Sequence, residues 1–205
     1  GRTDRRDDLL GNAGLHVGGT DFDRALSLEC VMPLLGYRGL MKNGVEIPSN
    51  LFFQLATWHT INFAYTRQAF ADFQHIYRDA AARRELDRLA RLIGQREGHW
   101  LALQVEQAKI DLSSGVTTLL QLDRLEAGLT HGISREDFSA ATRNLVERVA
   151  ATVGSLLDQA GDGAHAAPEV LARLRQRHLH GRVVDLLDCG NRVVGRRVVD
   201  DGRGL

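Results

Sequence analysis

Cysteine is nearly missing from this chain: Cys30 and Cys189 are its only two, far apart in sequence. That excludes a disulfide framework and gives no metal-ligand spacing, so a reducing, cytoplasmic setting is the expectation. Net charge is missing too, with 26 basic residues against 26 acidic ones, and no overall field favours nucleic acid or an anionic membrane. No apolar run is long enough to span a membrane, and the charged start Arg2-Thr3-Asp4-Arg5-Arg6-Asp7-Asp8 precedes too short an apolar stretch for a signal peptide. A Gly-x-x-x-x-Gly-Lys loop, a nucleophile elbow and a metal-binding histidine pair are absent, and the eight histidines form no cluster.

What is present is enough for one core of ordinary size with an appended piece: 205 residues, 43% of them hydrophobic and 25% charged. Leu9-Leu10 is followed by Gly11-Asn12-Ala13-Gly14, a turn sequence that either joins two strands or is loose. Because the chain opens in charged residues with nothing before its first glycine pair that reads as a folded start, it is expected to be a piece of a longer domain. Its organising stretch is His16-Val17-Gly18-Gly19-Thr20-Asp21-Phe22-Asp23-Arg24-Ala25-Leu26. Paired glycines permit backbone angles closed to other residues, and Thr20 is expected to cap a helix with Asp23 at its third position. Phe22, Leu26 and Cys30 form that helix's apolar face, and Pro33 is expected to stop it.

Asn43-Gly44 is a strong turn signal, and Val45-Glu46-Ile47-Pro48 is a short extended piece after it. Ser49 or Asn50 is positioned to cap a segment in which Phe52, Phe53, Leu55, Ile61, Phe63 and Tyr65, joined by Trp58 and Phe70, read as packed core rather than a cofactor cage. From Asp79 to Glu97, Ala82, Leu86, Leu89 and Ile93 mark the inner face of a helix. Arg83, Arg84, Arg88 and Arg91 read as its solvated side, supported by Glu85 and Asp87, rather than as a phosphate grip.

The helix expected over Trp100 to Ser114 carries two stripes. Leu101, Val105, Ala108 and Leu112, spaced by four, three and four, face the core. Beside them Glu106, Lys109 and Ser113 put an acid, an amine and a hydroxyl on one face over two turns. That set suits a ribose and a purine edge; a surface Glu-Lys pair with an idle serine is the competing reading. Further on, Gly115 to Asp123 and Leu125 to Thr130 read as two short strands joined near Asp123-Arg124. Ser134-Arg135-Glu136-Asp137 is a capping box opening a helix with Phe138, Ala141, Leu145, Val149, Val153 and Leu156 on one side and Gly161 at its end.

The wording adds a family. Gly18-Gly19-Thr20-Asp21-Phe22-Asp23 resembles the Gly-Gly-x-Asp-Phe-Asp opening of the second lobe of the actin-like ATPase domain of DnaK-type (70-kDa heat-shock) chaperones. Glu106-Gln107-Ala108-Lys109-Ile110-Asp111-Leu112-Ser113-Ser114 resembles that family's Glu-x-Ala-Lys-x-x-Leu-Ser-Ser helix, one wall of its adenosine pocket. Ile133-Ser134-Arg135 matches the turn that opens the family's long helix, and Val31-Met32-Pro33-Leu34-Leu35-Gly36 looks closest to the bacterial YegD-like branch, which carries the ATPase domain without a substrate-binding domain.

The resemblance implies an α+β fold, with helices packed on a small antiparallel sheet over residues 1–163, and a cofactor, ATP or ADP. By that resemblance Glu106 and Lys109 contact the ribose, Ser113 the adenine, Ile110 packs on the base where many members carry arginine, and Gly18-Gly19 borders the nucleotide. It also implies that phosphate loops, Mg2+ and the catalytic groups belong to another lobe, so this chain is not expected to hydrolyse ATP alone.

Residues 164–205 leave the family pattern. No Gly-Gly-x-Ser/Thr-Arg turn follows, and the segment is rich in arginine, valine and glycine, with Gly190-Asn191 as a hairpin turn between valine pairs. A marginal hairpin or disorder is expected there, in preference to nucleic-acid binding through the arginines or a metal at His178 and His180, because Asp185, Asp188, Asp200 and Asp201 offset the charge. The expected partners are an adenine nucleotide and, in an alternative non-catalytic role, a nucleotide-exchange factor or client protein; no membrane or nucleic acid is expected.

Overall fold

A computed structural model describes residues 9–159, Ala172 and 193–196. The architecture is mixed: six α-helices and two small antiparallel sheets among the described residues. The contacts divide the chain into two compact units, one of residues 18–143 and one of 1–17 with 144–205.

In the first unit the glycine corner opens α1 (Gly19–Leu26), and the helix does not stop where the sequence suggests. It runs on through a π-helical turn, Ser27–Val31, and a 3-10 turn, Met32–Leu35, that absorbs Pro33 before Gly36 ends it at φ 101°. The cap also differs from expectation. Gly18 is the cap residue, and Asp21 Oδ2 accepts from its N–H at 2.8 Å, two residues ahead of the expected Thr20–Asp23 pair. Asp23 is thereby left for another role.

Gly44 turns at φ 80° and Leu40 bridges Glu46, as the Asn43-Gly44 signal requires. Then come α2 (Asn50–Leu55), a 3-10 segment (Trp58–Tyr65) and α3 (Arg67–Asp79). Here the expected aromatic core is only partly formed. Phe52, Leu55 and Ile61 are buried, whereas Phe53, Trp58, Phe63 and Phe70 are exposed. A period of three residues per turn puts Ile61 and Ala64 on the inner side and turns Phe63 out.

The arginine-rich helix α4 (Arg84–Gly94) starts later than expected, so Ala82 lies outside it and is exposed. Its inner face buries Leu86, Leu89, Leu92 and Ile93, and with them Arg88, which corrects the reading of Arg88 as solvated. The Arg88 guanidinium reaches Glu126 at 2.6 Å and the Leu34 carbonyl at 3.2 Å, so the charge enters the core paired. Arg84 adds a second contact to Glu126 at 2.7 Å, and the two arginines, Arg84 first, hold the Glu126 carboxyl down to about 2. Because its folded value lies below its unfolded one, Glu126 supports the fold above the ordinary glutamate range and loses that support as pH falls toward 2. Unfolding by urea is therefore expected to become easier between pH 4.5 and 2, with a shallower pH slope in Glu126→Gln; equal slopes would refute the linkage.

Helix α5 (Gly98–Ser114) packs on α1 and on β2 (Thr117–Gln121), which pairs in antiparallel register with β3 (Thr130–Ser134). The second strand thus lies later than the expected Leu125 to Thr130. Residues 122–129 form a closed loop instead, with Leu125 buried, Gly128 at φ 73° and Asp123 Oδ1 accepting from the Gly128 N–H at 3.0 Å. The capping box at the start of α6 (Arg135–Gln159) is present: Ser134 Oγ accepts from Asp137 N–H at 3.1 Å, and Asp137 Oδ2 accepts from Ser134 N–H at 2.9 Å. Arg135 also donates to the Leu112 and Gly115 carbonyls, closing the C-terminal end of α5. The buried positions on α6 are Phe138, Thr142, Val146, Ala150 and Leu156, so Ala141, Leu145, Val149 and Val153 flank its inner face rather than form it.

In the other unit, β1 (Leu9–Ala13) pairs antiparallel with β4 (Val193–Arg196), with a bulge between Leu9 and Asn12. Val193-Val194 is thus joined to the N-terminal segment. The expected hairpin turn Gly190-Asn191, the valine pairs at 183–184 and 198–199, the helix end at Gly161, and His178, His180 and Cys189 lie outside the described residues.

Candidate functional site

The core stripe of α5 sets the geometry. Leu101, Val105, Ala108 and Leu112 are all buried, which turns Glu106 and Ile110 to solvent and leaves Ser113 half-buried. Lys109 follows Ala108 and sits one turn from both Val105 and Leu112, so it borders the stripe and is itself only 8% exposed. A buried ammonium needs a counter-ion. Asp23 of α1 supplies it, with Oδ1 2.7 Å from Lys109 Nζ.

This pair joins the two sequence motifs. Gly19 lies over the same ammonium: a Cβ built there would stand 3.8 Å from Lys109 Nζ. Neither glycine is demanded by its backbone, since Gly18 is extended at φ −132°, and neither is demanded by packing, since a Cβ at Gly18 would meet only Asp21 Oδ2 at 4.0 Å. The expectation of special backbone angles at this corner is therefore corrected: the pair leaves a bare backbone edge that the fold itself does not require.

The electrostatics are strained toward the neutral acid. Burial raises the Asp23 carboxyl above its ordinary value, Lys109 pulls it partly back, and the charge of Glu106 raises it again. Ser113 donates its hydroxyl to the Ile110 carbonyl at 2.6 Å, keeping its oxygen as an acceptor. Thus Glu106, Lys109, Gly18 and Gly19 gather at one place, with Ile110 and Ser113 further along α5.

A cleft of about 250 Å³ opens beside this cluster, with Asp23, Glu106, Ser27 and Trp58 among its walls; Ile110 and Ser113 do not line it. Sequence reasoning missed Asp23, assigned to a cap, and Trp58, assigned to the core. For Asp23 the signal was available, since it closes the same glycine-led motif. Trp58 carried none beyond its amphipathic ring. Among the described residues no group of three or more His, Cys, Asp or Glu side chains is placed to hold a metal ion, and no helix is long and apolar enough to cross a membrane. No protein-family model matches the chain, and no solved structure matches it.

Proposed function

We propose that this chain forms the adenosine-side half of the nucleotide cleft of a heat-shock-chaperone-like ATPase, an actin-like second lobe. The observation that carries the reading is the meeting of the glycine corner with Lys109, from two stretches each resembling that family, at the exposed carboxylate helix face. Glu106 accepts from the ribose hydroxyls, and Lys109, steadied by Asp23, donates to them. Ile110, 47% exposed, covers the base, and the Ser113 oxygen accepts from the exocyclic amine of adenine. The bare edge at Gly18 and Gly19 lets the nucleotide approach the backbone at the start of α1.

Phosphates, Mg2+ and the attacking water would be placed by the other lobe, so ATP turnover by this chain alone is not expected, because phosphoryl transfer needs all three positioned together. Titrating adenosine and ADP by calorimetry tests the reading. Glu106→Ala is expected to weaken binding by roughly tenfold, the scale of one lost hydrogen bond to a charged group. Gly19→Ala, for which the fold has room, is expected to weaken binding while leaving stability intact. Undiminished binding in Glu106→Ala, or brisk ATP hydrolysis by the wild-type chain, would contradict the assignment.

A second reading, a non-catalytic platform gripped by an exchange factor or client, draws on the exposed Phe63 and Phe70. It predicts partner capture that is indifferent to nucleotide and lost on Phe63→Ser.

A further inference from the structure

The cleft beside α5 is not explained by the nucleoside reading, whose base-covering residues Ile110 and Ser113 stand outside it. Its floor is apolar, from Leu55 and Val105, and its volume of about 250 Å³ is just under the roughly 300–1,000 Å³ typical of small-molecule sites. Its walls bring two carboxylates, Asp23 and Glu106, to an indole that is 48% exposed. The indole's one close ring neighbour among the described residues is His99, edge-on at 4.9 Å. The only titratable groups on the lining are the two acids, and Lys109, which offsets one of them, does not line it.

Ser27 adds a polar group to the lining. It lines the cleft and the residue is only 4% exposed, so the hydroxyl it offers belongs to the cleft rather than to the outer surface. Ser27 also opens the π-helical turn, a local widening of the helix that is frequent at functional sites.

We propose that this cleft binds a small organic cation, a primary ammonium carried on a short apolar or aromatic body. The body lies on Leu55 and Val105, the charged head sits between Glu106 and the Trp58 ring, and the Ser27 oxygen accepts one of its N–H bonds. The carboxylate and the indole each favour the ammonium over a neutral isostere. The site shares Glu106 with the nucleoside face and Asp23 with the pair that steadies Lys109, and it does not depend on a bound nucleoside.

Benzylamine, protonated at neutral pH, is the probe, with benzyl alcohol as its uncharged counterpart. In the 15N-labelled full chain, the Trp58 indole N–H and Ser27 amide signals are followed during titration. Benzylamine is expected to give saturable shifts centred on those two signals, benzyl alcohol to bind at least tenfold more weakly, and Glu106→Gln, at an exposed position, to weaken benzylamine at least tenfold. Equal constants for amine and alcohol, wild-type affinity in Glu106→Gln, shifts centred elsewhere, or no saturable shift would overturn the proposal. No nucleotide is present in this titration, so its failure leaves the adenosine reading standing, and failure of the adenosine titration leaves this one standing.

Discussion

Lys109→Met is expected to destabilise the chain by about 3 kcal/mol at neutral pH, the scale on which removing one partner of a buried ion pair strands the other. Asp23→Leu alone is expected to lose a similar amount, because an ammonium only 8% exposed is then left without a counter-ion. The double variant Asp23→Leu with Lys109→Met is expected to recover most of the loss, ending within about 1 kcal/mol of wild type, since well-packed apolar groups replace a desolvated pair at little net change. Urea midpoints at constant slope measure all three. Acid supplies a further check. The Asp23 carboxyl is already raised by burial, so its neutral form favours the fold, a contribution present below the ordinary aspartate range and lost as pH rises through its folded value. Without the Lys109 ammonium that carboxyl rises further. The deficit of Lys109→Met should therefore shrink as pH is lowered from 7 toward 4, and a deficit that is constant with pH, or a double variant as unstable as the sum of the singles, would show the pair to be no more than a surface contact.

The same pair shows where a sequence can be read and where it cannot. The stripe Leu101, Val105, Ala108, Leu112 is legible because helical spacing alone decides which residues turn inward, and Ser134 with Asp137 is legible because a capping box closes within four residues. Lys109 stands at the edge of that stripe, where spacing does not decide between a solvated ammonium and a buried one. Its fate depends on Asp23, brought by another helix, and Arg88 depends in the same way on Glu126. The aromatic segment misleads for a different reason. Composition suggests core, but a three-residue period turns Phe63 outside, and Trp58, although in phase with the buried Ile61 and Ala64, stays 48% exposed at the start of the segment, where it lines the cleft. The mixed helix-and-sheet character was readable from local patterns; the positions of Asp23 and Trp58 were set by tertiary packing.

Gly98 carries the other large expected effect, and the sequence invites the wrong sign for it. As an apparent helix breaker at the start of α5 it looks replaceable, and helix propensity alone would credit Gly98→Ala with up to about 1 kcal/mol of added stability. Packing reverses this. A Cβ at Gly98 would stand 2.5 Å from Tyr65 Oη, 2.6 Å from Ile61 Cγ2 and 3.3 Å from Leu55 Cδ2. The tyrosine cannot simply swing away, because its hydroxyl accepts the Gly98 N–H at 2.8 Å, one of the orphan donors of the helix N-terminus. Ile61 is fully buried. Gly98→Ala is therefore expected to lose about 2 kcal/mol, and Gly98→Val more, within the range for overfilling a packed core. Gly94→Ala, whose Cβ would meet nothing within 4 Å, is the control and is expected to be neutral or slightly stabilising. Because Gly98 fixes the first turn of α5 against the 3-10 segment, the strain should also reach Glu106 and Trp58: a variant that stays folded should bind benzylamine more weakly than Gly94→Ala does. Gly98→Ala as stable as wild type would mean that α5 is not seated on Tyr65 and Ile61.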